Sequence, residues 1–257
     1  MRVGGERYRG GGPGVESRYA FSFGGHYEPD NVGFGALVAC NEERLEAGAG
    51  FAEHGHRDTE IVTWVIEGEL EHRDGSGRVA RLRAGDVQLL SAAGGVRHEE
   101  RNAGSGPLRF LQMWLRPDTF GGQPHYTAVT APASPGAGLT LVASGFPDDC
   151  APVRLRHHGV ALYAARATPP GACPLPTAPT RYLHTLRGTL LLDDHPLTPG
   201  DSARITAEPH LQAEVTTPAD FLLWTMTPTP APPPNPHPPR APKPHPARAP
   251  KPSPPGV

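Results

Sequence analysis

Lysine is almost missing from this chain of 257 residues, and its two lysines, Lys243 and Lys251, both lie near the C-terminus. Residues 227–257 hold 15 of the 33 prolines and four basic residues, but no acidic and no aromatic residue. The other 226 residues carry 20 basic and 26 acidic side chains. A body of negative net charge lacks the positive surface that holds a phosphate backbone, so we expect no direct nucleic-acid binding.

Long apolar runs are missing as well. No stretch approaches the roughly 20 apolar residues that a membrane-spanning helix needs, and the first residues, MRVGGERYRGGGPG, lack the apolar segment of a secretory signal. The three cysteines, Cys40, Cys150 and Cys173, are an odd number without a CxxC pair, which is typical of a reducing compartment. These absences predict a soluble, cytoplasmic protein with no membrane partner, and we expect it to be a monomer.

The body of the chain is rich in strand signals, and no segment of its first half indicates a helix. In residues 59–73, TEIVTWVIEGELEHR, apolar residues occupy both registers and then alternate with charged ones, as in a strand that leaves a packed core for solvent. DGSG at residues 74–77 predicts a hairpin turn, and AGD at residues 84–86 predicts another turn. Short strands at such spacings favour an all-β fold, a sandwich or barrel of antiparallel strands.

The second half of the chain repeats the first. RYLHTLRGTLLLDDHPLTPGDSARI aligns with TEIVTWVIEGELEHRDGSGRVARLRAGDVQLL, which places Gly188 on Gly68 at an offset of 120 residues. The GD pair at residues 200–201 falls on the GD pair at residues 85–86, at an offset of 115. Self-similarity of this kind predicts two copies of one structural unit.

The repeat and the change in composition divide the chain into three parts. We place the first domain at residues 1–122, the second at 123–226, and a disordered, proline-rich, basic tail at 227–257. The tail has little to bury and many fixed φ angles, so we expect an extended segment, either a solvated extension or a ligand for a protein partner.

His54 and His56, in an HxH pattern, and His98 and Glu100, on a later predicted strand, form the candidate site. Alternate residues of a strand point to the same face, so the two side chains of each pair could bind the same cation. An HxH pattern alone also fits two surface histidines. If the two strands are adjacent, three imidazoles and one carboxylate meet, a donor set that suits iron(II), manganese, nickel, cobalt or zinc and leaves positions open for substrate.

The surrounding residues resemble the two motifs of the cupin superfamily. An HxH(x)3E pattern runs from His54 to Glu60 and is followed by a turn glycine, Gly68, while His98 and Asn102 stand at the spacing HxxxN. The resemblance implies two tandem cupin domains, each a jelly-roll-type β-barrel.

Residues 17–116 resemble the pirin family of bicupins more narrowly. The resemblance is carried by SRYAFSF, NEERLEAGAGF, HGHRDTEIVTWVIEGELEHRD, GDVQLLSA and GVRHEERN, with HGH where the family usually has HPH. In that family the metal is held by both histidines of HxH, by the second-motif histidine and by the glutamate two residues after it. The resemblance therefore implies the metal ligands His54, His56, His98 and Glu100.

The second copy of the repeat lacks all four ligand positions, which fall on Pro174, Pro176, Ala213 and Val215. His184 and His210 are nearby but out of register, and we interpret them as ordinary histidines. We therefore predict one divalent metal per chain, iron(II) in the first place and otherwise manganese, cobalt, nickel or zinc. Four phenylalanines are candidates for the wall of a pocket over the metal or for the core: Phe21, Phe23, Phe34 and Phe51.

Pirins are similar to quercetin 2,3-dioxygenases, so the resemblance implies an oxygenase that binds a small aromatic substrate, a polyphenol such as a flavonol, at the metal. Glu100, or its neighbour Glu60, would then take the hydroxyl proton as general base. Pirins are also regarded as metal-dependent or redox-dependent regulators, and a non-catalytic protein that binds a transcription factor or a metabolic enzyme is the alternative. A third hypothesis is another cupin reaction, such as isomerisation of a small metabolite, because a fold does not fix a function.

Overall fold

The computed structural model describes residues 1, 3–130, 138–168 and 171–228, which fold almost entirely into β-strands. Among these residues the only helix is one 3-10 turn, Gly4–Glu6. No helix in this part of the chain is long and apolar enough to cross a membrane. The predicted disordered tail lies outside the described residues, apart from its first two.

The strands of the first half are β1 (Tyr8–Gly12), β2 (Val15–Tyr19), β3 (Leu37–Leu45), β4 (Gly50–His56), β5 (Glu60–Glu67), β6 (Glu69–Asp74), β7 (Val79–Arg83), β8 (Asp86–Ser91), β9 (Val96–Asn102), β10 (Leu108–Leu115) and β11 (His125–Thr130). The strands of the second half are β12 (Leu139–Ser144), β13 (Val153–Arg154), β14 (Val160–Ala167), β15 (Gly171–Pro174), β16 (Thr180–Arg187), β17 (Leu190–Leu192), β18 (His195–Leu197), β19 (Ser202–Thr206), β20 (Gln212–Val215) and β21 (Ala219–Met226).

Each half forms two sheets. In the first half a seven-stranded sheet, in the order β1-β2-β3-β10-β5-β8-β11, packs on a four-stranded sheet, β4-β9-β6-β7, and a cluster of apolar side chains that includes Val65, Leu70 and Phe110 lies between them. In the second half a six-stranded sheet, β13-β12-β14-β21-β16-β19, packs on β15-β20-β17-β18. The expected all-β architecture of two jelly-roll units is confirmed.

The two large sheets also pack against each other, and this explains why β5 is apolar in both registers. Val62, Trp64 and Ile66 belong to a cluster that joins β3, β5, β8 and β10 to β12, β14, β16 and β21, whereas Val65 faces the core of the first unit. Both faces of β5 are therefore covered, as in strands buried between two layers. The boundary at residue 122 stays a prediction, and β11, which follows it, pairs with β8 of the first sheet.

Gly68 marks the point at which the chain leaves the seven-stranded sheet for the four-stranded one. It separates β5 from β6 with a φ of +83°, and a Cβ there would lie 2.6 Å from the carbonyl oxygen of Pro107. Gly188 occupies the same place between β16 and β17, with a φ of +70° and a neighbouring backbone, that of Pro218, that is even closer. Glycine alone adopts such a conformation without strain in so little space, so the repeat seen in the sequence is a repeat of structure.

The shared core between the large sheets predicts the effect of Val142→Ala in β12. Val142 is completely buried in this core, and the loss of two buried carbons, together with the cavity, should lower the free energy of unfolding by about 2 kcal/mol. Val79→Ala in β7 is the matched control, because Val79 is 42% exposed, and it should cost less than about 1 kcal/mol. Urea denaturation of both variants measures the difference, and equal losses would contradict a core at this place.

Candidate metal centre

The strands β4 and β9 bring the predicted histidines together. The two strands pair antiparallel with His54 directly opposite His98, while His56 lies two residues beyond His54 on the same face. The ring centroid of His98 lies 4.5 Å from that of His54 and 4.9 Å from that of His56, and the possible ligand atoms of the three lie within 4.8 Å of one another. This spacing fits a single cation.

The imidazole nitrogens of this cluster are oriented for a cation. His54 donates its Nδ1 hydrogen to the carbonyl oxygen of Ala52 at 2.8 Å, which leaves its Nε2 as an acceptor. The Nε2 atoms of His56 and His98 are buried and have no hydrogen-bond partner in the structure. Buried polar atoms rarely stay unpaired, and a metal ligand held by a hydrogen bond on its other nitrogen is the usual arrangement for histidine. The residues present therefore fit a divalent metal.

Burial keeps two of these histidines neutral. It lowers the pKa of His56 to about 4, with a further decrease from the charge of His54. It also lowers the pKa of His98 to about 4, although Glu100 acts in the opposite direction. A neutral imidazole is the form that binds a metal, so the protein supplies these ligands in the required state at neutral pH.

Glu100 is buried on the same face of β9, two residues beyond His98. Its Oε1 accepts a hydrogen bond from Gln88 Nε2 and its Oε2 one from Gln112 Nε2, both at 2.8 Å. Burial raises the pKa of this carboxyl, but His72, His98 and Gln112 outweigh burial and lower it to about 2. Glu100 is thus ionised and held by two amides, as expected of a metal-binding carboxylate.

His72, which the sequence analysis did not single out, completes the cluster. It lies on β6 directly opposite Glu100, its Nδ1 is 3.3 Å from Nδ1 of His98 and 4.0 Å from Oε1 of Glu100, and these three residues form a second group of possible ligands. If His98 donates its Nδ1 hydrogen to His72, its Nε2 stays available to a cation. Its position two residues beyond the apolar Leu70, with charged residues on either side, is the signal in the sequence that could have identified it.

Glu60, the other predicted candidate for a general base, is not part of the cluster. Its carboxylate accepts hydrogen bonds from the hydroxyl of Ser91 and from the backbone N–H of Arg156, in the second half of the chain. Burial raises the pKa of Glu60, and these two hydrogen bonds oppose the increase. Its contacts are those of a side chain that joins the two halves.

A pocket of about 530 Å³ opens beside the histidines. Its aromatic walls come from Tyr19, Phe23, Phe51 and Trp114, and the glycine-rich end of the β1–β2 hairpin also lines it. Two of the four candidate phenylalanines, Phe23 and Phe51, thus line this pocket. The other two, Phe21 and Phe34, contact Tyr182 of the second half instead.

Glu43, a further residue that the sequence analysis did not single out, also lines this pocket. It is only 4% exposed and accepts a hydrogen bond from the hydroxyl of Ser17 on the neighbouring strand. Burial raises its pKa to about 8, against the effect of the Ser17 hydrogen bond and with smaller increases from Glu100 and Glu42. At neutral pH the carboxyl therefore carries a proton in most molecules.

The second half has no equivalent cluster among the described residues. There β15 and β20 pair as β4 and β9 do, and Cys173 lies opposite Ala213 as His54 lies opposite His98. The register thus puts Cys173, rather than Pro174, at the position that corresponds to His54. Cys173 is buried among apolar side chains, where a thiolate is disfavoured.

The geometry of the cluster predicts graded effects on metal binding. His98→Ala removes the histidine common to both groups and should abolish stoichiometric metal. His72→Gln should weaken affinity by about 10- to 100-fold, the usual cost of losing a partner that orients a ligand. His195→Ala, at an exposed position of β18, should have no effect. Elemental analysis measures the amount of bound metal, and competition with a chelator measures the affinity. Equal loss of metal in all three variants would contradict a single site.

The raised pKa of Glu43 predicts a pH dependence of stability. The unfolded chain loses this proton near the ordinary value of 4.5 and the folded chain only near 8, so the wild type should lose stability as pH rises between these values. Glu43→Gln removes this loss, and its stability relative to the wild type should increase from about pH 5 to about pH 8. Glu16→Gln, at a partly exposed position of β2, is the control. Urea denaturation at both pH values checks this. If the difference in unfolding free energy between Glu43→Gln and the wild type is the same at both, the raised pKa of Glu43 is contradicted.

Comparison with known proteins agrees with this geometry. The pirin family model matches residues 3–115, and the model of the quercetinase C-terminal cupin domain matches residues 157–226. A Mycobacterium tuberculosis protein named "Putative quercetin 2,3-dioxygenase" is 37% identical over 215 residues, which cover 82% of this chain and 88% of that relative. The Escherichia coli protein named "Quercetin 2,3-dioxygenase" is 40% identical over 128 residues, 49% of this chain and 55% of that relative.

The fold agrees with solved structures of the same kind. The bacterial pirin YhhW from Escherichia coli, crystallised in complex with nickel(II), superimposes with a TM-score of 0.81 at 29% sequence identity, and the match covers 89% of this chain and 98% of that one. The two family models, the length of the matched relatives and this structural similarity lead to one conclusion: the chain belongs to the pirin family, with two cupin domains in tandem.

Proposed function

We propose that this protein is a metal-dependent dioxygenase that opens flavonols such as quercetin at one divalent metal held by His54, His56, His98 and Glu100. The observation that carries the proposal is the pair of buried, unpartnered Nε2 atoms of His56 and His98, in a cluster beside a pocket with aromatic walls. The names of the relatives support the choice of substrate. Iron(II) is the metal we propose first, and the nickel(II) in the related crystal structure makes nickel a second choice.

The protein contributes ligand orientation and a shaped pocket. A bound divalent cation would lower the pKa of a flavonol hydroxyl and supply open positions for the substrate oxygens and dioxygen. His54 is fixed by its hydrogen bond to the carbonyl of Ala52, and Glu100 by the amides of Gln88 and Gln112. Held in this way, the ligands need little rearrangement when substrate binds.

The aromatic walls fit a flat substrate. The indole of Trp114 lies 4.9 Å from the ring of His56, and Phe23 lies 5.1 Å from Trp114 in an edge-to-face arrangement. Offset and edge contacts of this kind stabilise aromatic rings. The indole N–H donates to Gln112 Oε1 at 3.0 Å, which fixes the ring plane beside the metal ligands.

Glu100 is better suited to hold the metal than to act as general base. Its pKa of about 2 keeps it ionised, but a base is most effective when its pKa lies near the working pH. We therefore assign it first to metal binding. Acceptance of the hydroxyl proton is a secondary role, and Glu60 has no part in it because it does not line the pocket.

Turnover of quercetin tests the function. Protein loaded with iron(II), manganese, cobalt or nickel should bleach the visible absorbance of quercetin, consume one dioxygen and release one carbon monoxide for each ring opened, and His98→Ala should lose at least about 100-fold in rate. Metal-free wild type is the control. If no metal supports turnover while stoichiometric metal binding persists, the dioxygenase proposal is wrong and the regulatory alternative is favoured.

A further inference from the structure

The pocket beside the histidines has a polar wall formed by β3. Asn41 and Glu43 are two residues apart on this strand and therefore share a face. Asn41 lies opposite Tyr19 of β2 and Gln112 of β10, and Glu43 lies opposite Ser17 of β2. Asn41 and Glu43 are only 1% and 4% exposed, so this part of the pocket is built from buried polar groups outside the proposed metal ligands.

Asn41 has an acceptor that the protein does not use. Its Oδ1 atom is buried and without a hydrogen-bond partner. The adjacent Gln112 does not provide one: its Nε2 donates to Glu100 at 2.8 Å, its Oε1 accepts from Trp114, and it makes no hydrogen bond to Oδ1 of Asn41. An unpaired buried acceptor costs free energy, and this one lines the pocket, where a donor from a ligand can reach it.

Glu43 has a complementary donor. The hydroxyl of Ser17 donates to Oε2 of Glu43. Because burial raises its pKa, the carboxyl keeps its own proton at neutral pH. This proton is available for a hydrogen bond to a further group. Asn41 thus presents an acceptor and Glu43 a donor on the same face of one strand. A hydroxyl group can donate one hydrogen bond and accept another, so one hydroxyl of a ligand can satisfy both groups together.

We propose that Asn41 and Glu43 form a subsite that binds a phenolic hydroxyl of an aromatic ligand whose other oxygen atoms are bound at the metal centre. The hydroxyl donates to Oδ1 of Asn41 and accepts from the carboxyl of Glu43. This inference rests on the proposed function, because it assigns a second contact of the same substrate. It predicts that the protein selects flavonols by hydroxyl groups that do not chelate the metal.

Equilibrium binding to nickel(II)-loaded protein without dioxygen separates the subsite from catalysis. The probes are quercetin and 3-hydroxyflavone, which share the chelating hydroxyl and carbonyl but differ in the additional hydroxyls of quercetin. The wild type should bind quercetin more tightly. Asn41→Ala and Glu43→Leu should each weaken the binding of quercetin by about three- to tenfold, the worth of one hydrogen bond, and leave the binding of 3-hydroxyflavone unchanged. Glu43→Gln should keep the affinity for quercetin, because its amide N–H replaces the donor of the protonated carboxyl.

Glu16→Gln is the control on the neighbouring strand β2, since Glu16 is partly exposed and does not line the pocket. It should leave both affinities unchanged. Nickel content and the urea midpoint of every variant are measured alongside, and Glu43→Leu keeps the test valid if Asn41→Ala does not fold. If the wild type binds both flavonols but neither Asn41→Ala nor Glu43→Leu changes the ratio of the two affinities, the subsite is wrong and the proposed function is unaffected. A wild type that binds neither flavonol would overturn both.

Discussion

The packing of the seven-stranded sheet against the six-stranded sheet is the contact on which the rest of the structure depends. It buries apolar side chains from both halves of the chain, including Trp64, Met113, Leu162 and Trp224, and apolar burial is the main favourable contribution to folding. With the outer face of its large sheet covered in this way, the first unit can place polar residues on the inner face without losing its scaffold.

Those inner polar residues form a connected network around Glu100. Gln88 links the carboxylate to the hydroxyl of Tyr126, and Gln112 links it to the indole of Trp114, with donor to acceptor distances of 2.8 to 3.0 Å. Because β10 and β8 both pair with β5, the two glutamines are positioned by the same sheet that carries the interface core. Buried atoms without a hydrogen-bond partner near this network include Nε2 of His56, His72 and His98 and Oδ1 of Asn41. Because His56 and Asn41 line the pocket, a ligand there is the expected partner of such atoms.

The two halves show how one architecture supports different interiors. Gly68 and Gly188 impose the same change of sheet in each, so the backbone repeats. The second half fills the corresponding interior with Cys173, Leu190 and Ala213, which belong to one apolar cluster, whereas the first places histidines and a carboxylate there. Burial of polar groups costs free energy unless they are paired, and among the described residues the clusters of possible metal ligands lie only in the first half.

The sequence by itself determined the strands, the repeat and the shared face of His54 with His56, because each depends on residues close together along the chain. Only the tertiary structure decided the places of His72, Glu60 and Glu43. His72 reaches Glu100 through a pairing across 28 positions, and Glu60 is drawn to the backbone of Arg156, in the other half of the chain. The strongly raised pKa of Glu43 results from burial. Contacts of this kind follow from which strands become neighbours, and alternation along one strand carries no information about its neighbours.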